Sequence, residues 1–211
     1  VKQITVTNDE ERSYLNGLVP DEKIGNVALS CIYIKTLESG SGITVSTKNI
    51  KWCTSDMYIN ALVTAGITDA EIKVSAPHEV TGTAALTGIY KAYEDITGVT
   101  LQEDAKEAGA TELVITGELA EYIGDQDATE LVNELKKILD QTQNMTDDEV
   151  RTEIRNIAKN IGVEITDDQV EQLLQLCRQL EGLDTNDLLA RLDSVQSAMK
   201  GISDIGNTFS D

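Results

Sequence analysis

Between residues 43 and 76 the hydrophobic period changes twice, and no other feature of the sequence restricts the fold as much. Ile43, Val45 and Thr47 alternate with Thr44, Ser46 and Lys48, the period of a half-exposed strand. Thr54 or Ser55 then caps a helix in which Met57, Tyr58, Ala61, Leu62 and Ala65 recur at helical spacing, and Gly66 supplies its left-handed stop. Residues 70–76 return to a short strand that ends at Pro77. A strand, a helix and a strand in this order make a right-handed crossover between parallel strands, which puts the 77–82 loop at a strand's carboxyl end.

The flanking segments extend this unit. Residues 26–36 are apolar on both faces, with Val27, Leu29, Ile32 and Ile34 among them, and predict a central strand. Ser39-Gly40-Ser41-Gly42 joins it to the 43–50 strand as a hairpin. Thr7 to Glu11 open a short capped helix that ends near Gly17 and Pro20. Thr83 to Ile96, bounded by Gly82 and Gly98, form a second helix over the sheet, and residues 113–116 add a further short strand.

After residue 117 the chain reads as helical. Ala128 to Asp140 is amphipathic through Leu131, Leu135, Ile138 and Leu139. Thr146-Asp147-Asp148-Glu149-Val150 and Thr166-Asp167-Asp168-Gln169-Val170 each combine a capping box with a hydrophobic residue placed before it as a staple. The two helices they start are suited to pack as a hairpin, and Cys177, on the apolar stripe of the second, is expected to be buried and inert. A weaker helix follows from Asn186 to Met199, with a frayed tail from Gly201. The expected fold class is therefore α/β (α+β): a small mixed sheet with a β-hairpin and a parallel strand-helix-strand unit, followed by an all-helical C-terminal part. The expected domains are an α/β domain over residues 1–124 and a helical region over 125–211.

Charge narrows the function classes. The formal net charge is −20, and after residue 100 there are 25 Asp and Glu against 9 Lys and Arg. Such a field repels phosphate backbones and anionic lipid surfaces, so nucleic acid is not an expected partner. No run approaches the ~20 apolar residues of a membrane span, and direct membrane insertion is not expected either. The chain begins at Val1, compatible with removal of a secretion signal. Three cysteines, Cys31, Cys53 and Cys177, are too few and too scattered for a disulfide framework or a zinc site, so neither metal nor other cofactor is expected.

Three local patterns are candidates for chemistry. Cys53 at a helix start and His78, the only histidine, could pair as nucleophile and base with Glu79 or an Asp as orienting partner, although no nucleophile signature surrounds either. A Cys31–Cys53 disulfide is the competing reading, as is a buried Cys with an exposed loop His. Thr81, Gly82 and Thr83 place a hydroxyl-bearing turn at a helix N-terminus, where an anion or carboxylate could dock; helix capping with close packing is the plainer alternative. The acidic run from Asp125 fails the EF-hand template, since its twelfth place is Lys136 where a bidentate Glu is needed.

Gly-Ser-Gly-Ile-Thr-Val-Ser-Thr-Lys-Asn-Ile at 40–50, Met-Tyr-Ile-Asn-Ala-Leu-Val-Thr-Ala-Gly-Ile at 57–67 and the Val-Thr-Gly-Thr-Ala-Ala-Leu-Thr-Gly-Ile-Tyr run from Val80 resemble the YpuA-like family of Gram-positive bacteria, catalogued as domain of unknown function 1002. Residues 112–120 and the Thr-Asp-Asp-Gln-Val motif at 166 extend the likeness over most of the chain. The resemblance implies a secreted or cell-envelope protein and brings no established activity or catalytic residues. The expectation is a non-enzymatic extracellular or cell-envelope domain that binds a protein or envelope partner. The alternative is a hydrolase with a site near the Thr81–Thr83 turn.

Overall fold

A computed structural model of the chain describes residues 3–15 and 29–208, with side chains to residue 198 apart from Tyr14. The expected turn near Gly17 and Pro20 and the start of the first strand at 26–28 lie outside the described residues. The elements are α1 (Asn8–Leu15), β1 (Cys31–Thr36), β2 (Ile43–Ile50), α2 (Ser55–Ala65), β3 (Ala70–Val80), α3 (Thr83–Thr97) and α4 (Glu103–Ile123). They continue as α5 (Asp125–Lys136), α6 (Leu139–Thr142), α7 (Asp147–Ile161), α8 (Asp167–Glu181) and α9 (Thr185–Thr208).

The mixed sheet, the parallel unit and the helical C-terminal part are as the sequence predicts. Thr54 is the cap of α2, its hydroxyl accepting from Met57 N at 3.3 Å, and Gly66 closes that helix at φ +100°. β2 and β3 run parallel, with Ile43 opposite Ala70 and Thr47 opposite Val74. Both capping boxes at Thr146 and Thr166 are formed.

The hairpin is not. The strand order is β1-β3-β2, and β1 pairs antiparallel with β3 from Cys31 opposite Ser75 to Thr36 opposite Ala70. β3 therefore takes the centre that the sequence assigned to the first strand. Its inward residues Ala70, Ile72, Val74 and Ala76 are all buried, whereas Ile32 and Ile34 of β1 are half-buried, and the most buried strand needs both edges hydrogen-bonded. The 37–42 loop arches over the start of β3 instead of turning tightly. Leu37 N donates to Asp69 O at 3.0 Å and Gly42 N to Asp69 Oδ1 at 3.0 Å.

Two further corrections concern element limits. β3 does not end at Pro77 but runs through it to Val80, so His78 and Glu79 are strand residues. A proline is tolerated there because β1 pairing stops at Ser75 and the β2 ladder is interrupted between Lys48 and Ile50. Asn49, at φ +60°, bridges that irregularity by donating Nδ2 to Ala76 O at 2.7 Å. Residues 113–116 are helical, in the middle of α4, and not a strand. They are buried on all sides, where an apolar run carries no period that separates strand from helix. The last helix also continues to Thr208, past the expected end near Met199.

Two apolar clusters fill the interior. The first joins α2, β3, α3 and parts of α4 and α9; the second joins α4 to α5, α7 and α8. α4 serves both, through Leu113 and Val114 on one side and Ile115 and Leu119 on the other. It crosses α2 so closely that a Cβ on Gly109 would stand 2.5 Å from Ala61 O. Beside this crossing lies a wholly buried ion pair, Lys136 Nζ to Glu112 Oε1 at 2.6 Å. The Thr64 hydroxyl donates to the other Glu112 oxygen at 2.5 Å, and Lys136 also donates to Asn60 O at 3.3 Å.

Removing one partner of such a pair leaves a bare charge in the core. Lys136→Met is expected to destabilise the fold by about 3–5 kcal/mol, and the Glu112→Leu/Lys136→Met double variant by much less than the two single changes together. Urea unfolding of the three variants measures this; additive losses would show that the pair is not coupled.

Candidate functional site

The Thr81–Thr83 turn is built from three layers. Lys51 N and Cys53 N, just beyond β2, donate to Val80 O and Thr81 O at 2.9 and 3.1 Å, so the chain leaving β2 clamps the end of β3. Gly82 has φ +100°, and an added Cβ would stand 2.5 Å from both Ile50 Cγ2 and the Tyr58 hydroxyl, so only glycine fits here. Tyr58 from α2 donates to Gly82 O at 2.5 Å. Thr83, buried at the first position of α3, donates its hydroxyl to Glu11 Oε1 of α1 at 2.7 Å. The sequence points to a carboxylate at this helix start, and the carboxylate beside Thr83 in the fold is the protein's own Glu11. Thr81 is half-buried.

Burial raises the pKa of Glu11 above the ordinary carboxylate range, against the hydrogen bonds from Thr83 and Asn8 that lower it. Cys53 and Tyr58 lie in the same buried cluster. Burial pushes the Cys53 thiol up to about 12, opposed by a hydrogen bond with Tyr58 and reinforced by the charge of Glu11. A thiol in that state does not supply a thiolate near neutrality. His78 is exposed on β3, while Cys53 is 1% exposed.

Cys31 and Cys53 are both free, so the disulfide reading is corrected: Cys31 lies exposed on β1, whereas Cys53 is enclosed by the Tyr58 and Gly82 cluster. Cys177 is buried as expected, with its thiol also pushed up to about 12, chiefly by burial. The acidic 125–136 run is α5 from end to end, and no group of three or more metal-ligating side chains occurs among the described residues.

A concavity with an apolar lining lies elsewhere, along β1. It has a volume of about 500 Å³, within the ~300–1,000 Å³ range of ligand sites. One wall is β1 and the other is the segment Gln3–Val6; the floor is the face of α3 that carries Ala85, Gly88, Ala92 and Ile96. Lys91 of α3 holds the outer wall by donating to Thr5 O at 3.0 Å and pairing with Glu10 at 2.5 Å. Gly88 keeps the floor low: a Cβ there would be 3.7 Å from both Ile32 and Val6.

As an outer strand of the sheet, β1 has no strand partner on its groove side among the described residues. Its outward residues Cys31, Tyr33 and Lys35 are exposed and its inward Ile32 and Ile34 half-buried. Tyr33 and Ile96 remain 47% and 48% exposed at the rim. Reading residues 26–36 as a central strand hid this groove from the sequence. The sign that could have revealed it is Lys35, a lysine inside an otherwise apolar strand, as is usual at sheet edges.

The family model of DUF1002, described as a protein of unknown function, matches residues 1–197. The chain is 39% identical over 184 residues to the uncharacterized protein YpuA of Bacillus subtilis (strain 168), an alignment that covers 86% of this chain and 63% of that relative. The chain thus spans less than two thirds of that relative's length, and no solved structure matches it. The chain belongs to the DUF1002 family.

The buried thiols and Glu11 generate two tests. Cys31 is expected to react with a thiol reagent within minutes in the native protein, and Cys53 and Cys177 only on unfolding; rapid labelling of all three would contradict the enclosure of the latter two. A carboxyl whose pKa is raised on folding adds stability below its unfolded pKa and loses that contribution as pH rises through its folded value. Glu11→Gln should therefore gain stability relative to the native protein as pH rises from the ordinary carboxylate range to neutrality, then level off. Urea midpoints of both proteins along this range test it, and a difference that does not change with pH would count against it.

Proposed function

We propose that this chain is a non-enzymatic binding domain of the cell envelope whose β1 groove takes an extended segment of a partner protein by strand addition. The observation that carries the reading is the unpartnered edge of β1 over an apolar floor among the described residues. An edge strand offers backbone donors and acceptors at fixed spacing, and the groove accepts every second side chain of a strand laid beside it. Ile32, Ile34, Ala92 and Ile96 favour apolar side chains on that face. Thr81, Gly82 and Thr83 act beneath the ligand in this reading, fixing the start of α3 and so the height of the floor. The envelope location rests on the likeness to a family expected to be secreted.

A hydrolase centred on the turn is the weaker reading. Its hydroxyl at Thr83 and carbonyl at Gly82 are engaged by Glu11 and Tyr58, and the neighbouring thiol is held protonated.

Cys31 provides a native attachment point in the groove for a benzophenone-maleimide crosslinker. On envelope preparations, crosslinking is expected to give a discrete protein adduct that persists in Gly88→Ala. In Gly88→Leu, which fills the groove, and in Ile96→Asp, which charges its rim, the adduct should fall about ten-fold or more. An adduct unaffected by both changes would overturn the groove as the binding surface.

A further inference from the structure

The groove's chemistry specifies its ligand further, given strand addition at β1. A strand added to that edge alternates its side chains between the floor and the open face of the sheet. On the floor side it meets Ile32 and Ile34, so apolar groups fit. On the open face its neighbours are Cys31, Tyr33 and Lys35.

Lys35, like Lys48 and Lys159, has no carboxylate partner among the described residues, and of the three it is the one on the edge strand β1. Glu71 stands directly opposite Lys35 in the β1–β3 register. That carboxylate is held by Lys73 at 3.0 Å, and Lys73 in turn lies 5.8 Å from the centre of the Tyr33 ring. Lys35 follows Ile34, the last β1 residue of the groove lining, so a strand continued along the β1 edge brings one of its own residues alongside this ammonium.

We propose that the β1 edge selects an extended protein segment with apolar residues at alternate positions and a carboxylate on the opposite face, set beside Lys35. This inference rests on the strand-addition reading. Directly opposed unlike charges on neighbouring strands favour pairing, and like charges oppose it. An unpaired edge lysine can also serve only to keep strands from joining, and then no charge pattern in the ligand would be preferred.

The test uses the whole chain and three fluorescein-labelled peptides of about eight residues, a usual strand length. Each alternates valine with threonine, and they differ in one threonine-face position: glutamate, glutamine or lysine. By anisotropy, the glutamate peptide is expected to bind about two- to five-fold tighter than the glutamine peptide and the lysine peptide to bind weakest. With Lys35→Glu, an exposed change, the order should invert and the lysine peptide bind best. Equal affinity of all three for the native chain, or an order unchanged in the variant, overturns the carboxylate preference and leaves strand addition standing. Absence of binding by every peptide overturns both.

Discussion

Glu112 and Lys136 meet at 2.6 Å with neither side chain exposed, and the arrangement of the helices depends on their meeting. A lone charge at that depth would be expelled or neutralised, so α4 and α5 must come together in one register. Thr64 and Asn60 then complete the coordination from α2, which belongs to the strand-helix-strand unit. One polar contact set therefore joins the three helices at the meeting of the two apolar clusters. Apolar packing alone would allow α4 to slide or rotate against α2 at modest cost; a buried ion pair with directional donors does not.

With α4 fixed, the order of the sheet fixes the groove. β3 must be central because its inward residues are the most deeply buried, and β1 is consequently an outer strand. Its inward face is closed by α3, whose start is set by the Gly82 turn, by Tyr58 and by Glu11. Residues with the chemistry of a reactive centre thus serve as fasteners: a thiol, a phenol and a carboxyl are enclosed together and hold α1, α2 and α3 to the end of β3. The open surface lies one element away, along the strand whose edge they leave free.

The acidity of the chain is distributed in a way that suits this division. Many carboxylates of the helical part have tasks within it, as in the capping box at Glu149 and the two-pronged contact of Arg151 with Glu171. The exposed sheet face is different: among the described residues it carries Lys35, Lys48 and Lys73 beside Glu71, and Glu79 farther along β3 is paired with Lys51. Local charge there is opposite in sign to the net charge, and screening over ~8 Å at physiological salt lets a partner meet the local pattern.

Local physics wrote much of the fold into the sequence. The cap at Thr54, the left-handed stop at Gly66, the two capping boxes and the change from strand to helical period each depend on residues within a few positions of one another. The parallel pairing of β2 with β3 followed from the same passage, since a strand-helix-strand run has one common solution. Strand order was different. Whether residues 31–36 pair with 43–50 or 70–75 turns on which strand buries its face most completely, and that is a competition among distant segments. The helical state of 113–116 was likewise hidden, because burial on every side erases period. Thr83 was legible as a helix start, but its partner Glu11 lies 72 residues away and no spacing rule connects them. The groove itself exists only because β1 is outermost, α3 is held beneath it and residues 3–6 run alongside. The sequence by itself determined the elements and their capping, because these are short-range balances of backbone and side chain. The tertiary structure decided which edge stayed free and which charges were enclosed, because burial is a property of the whole chain.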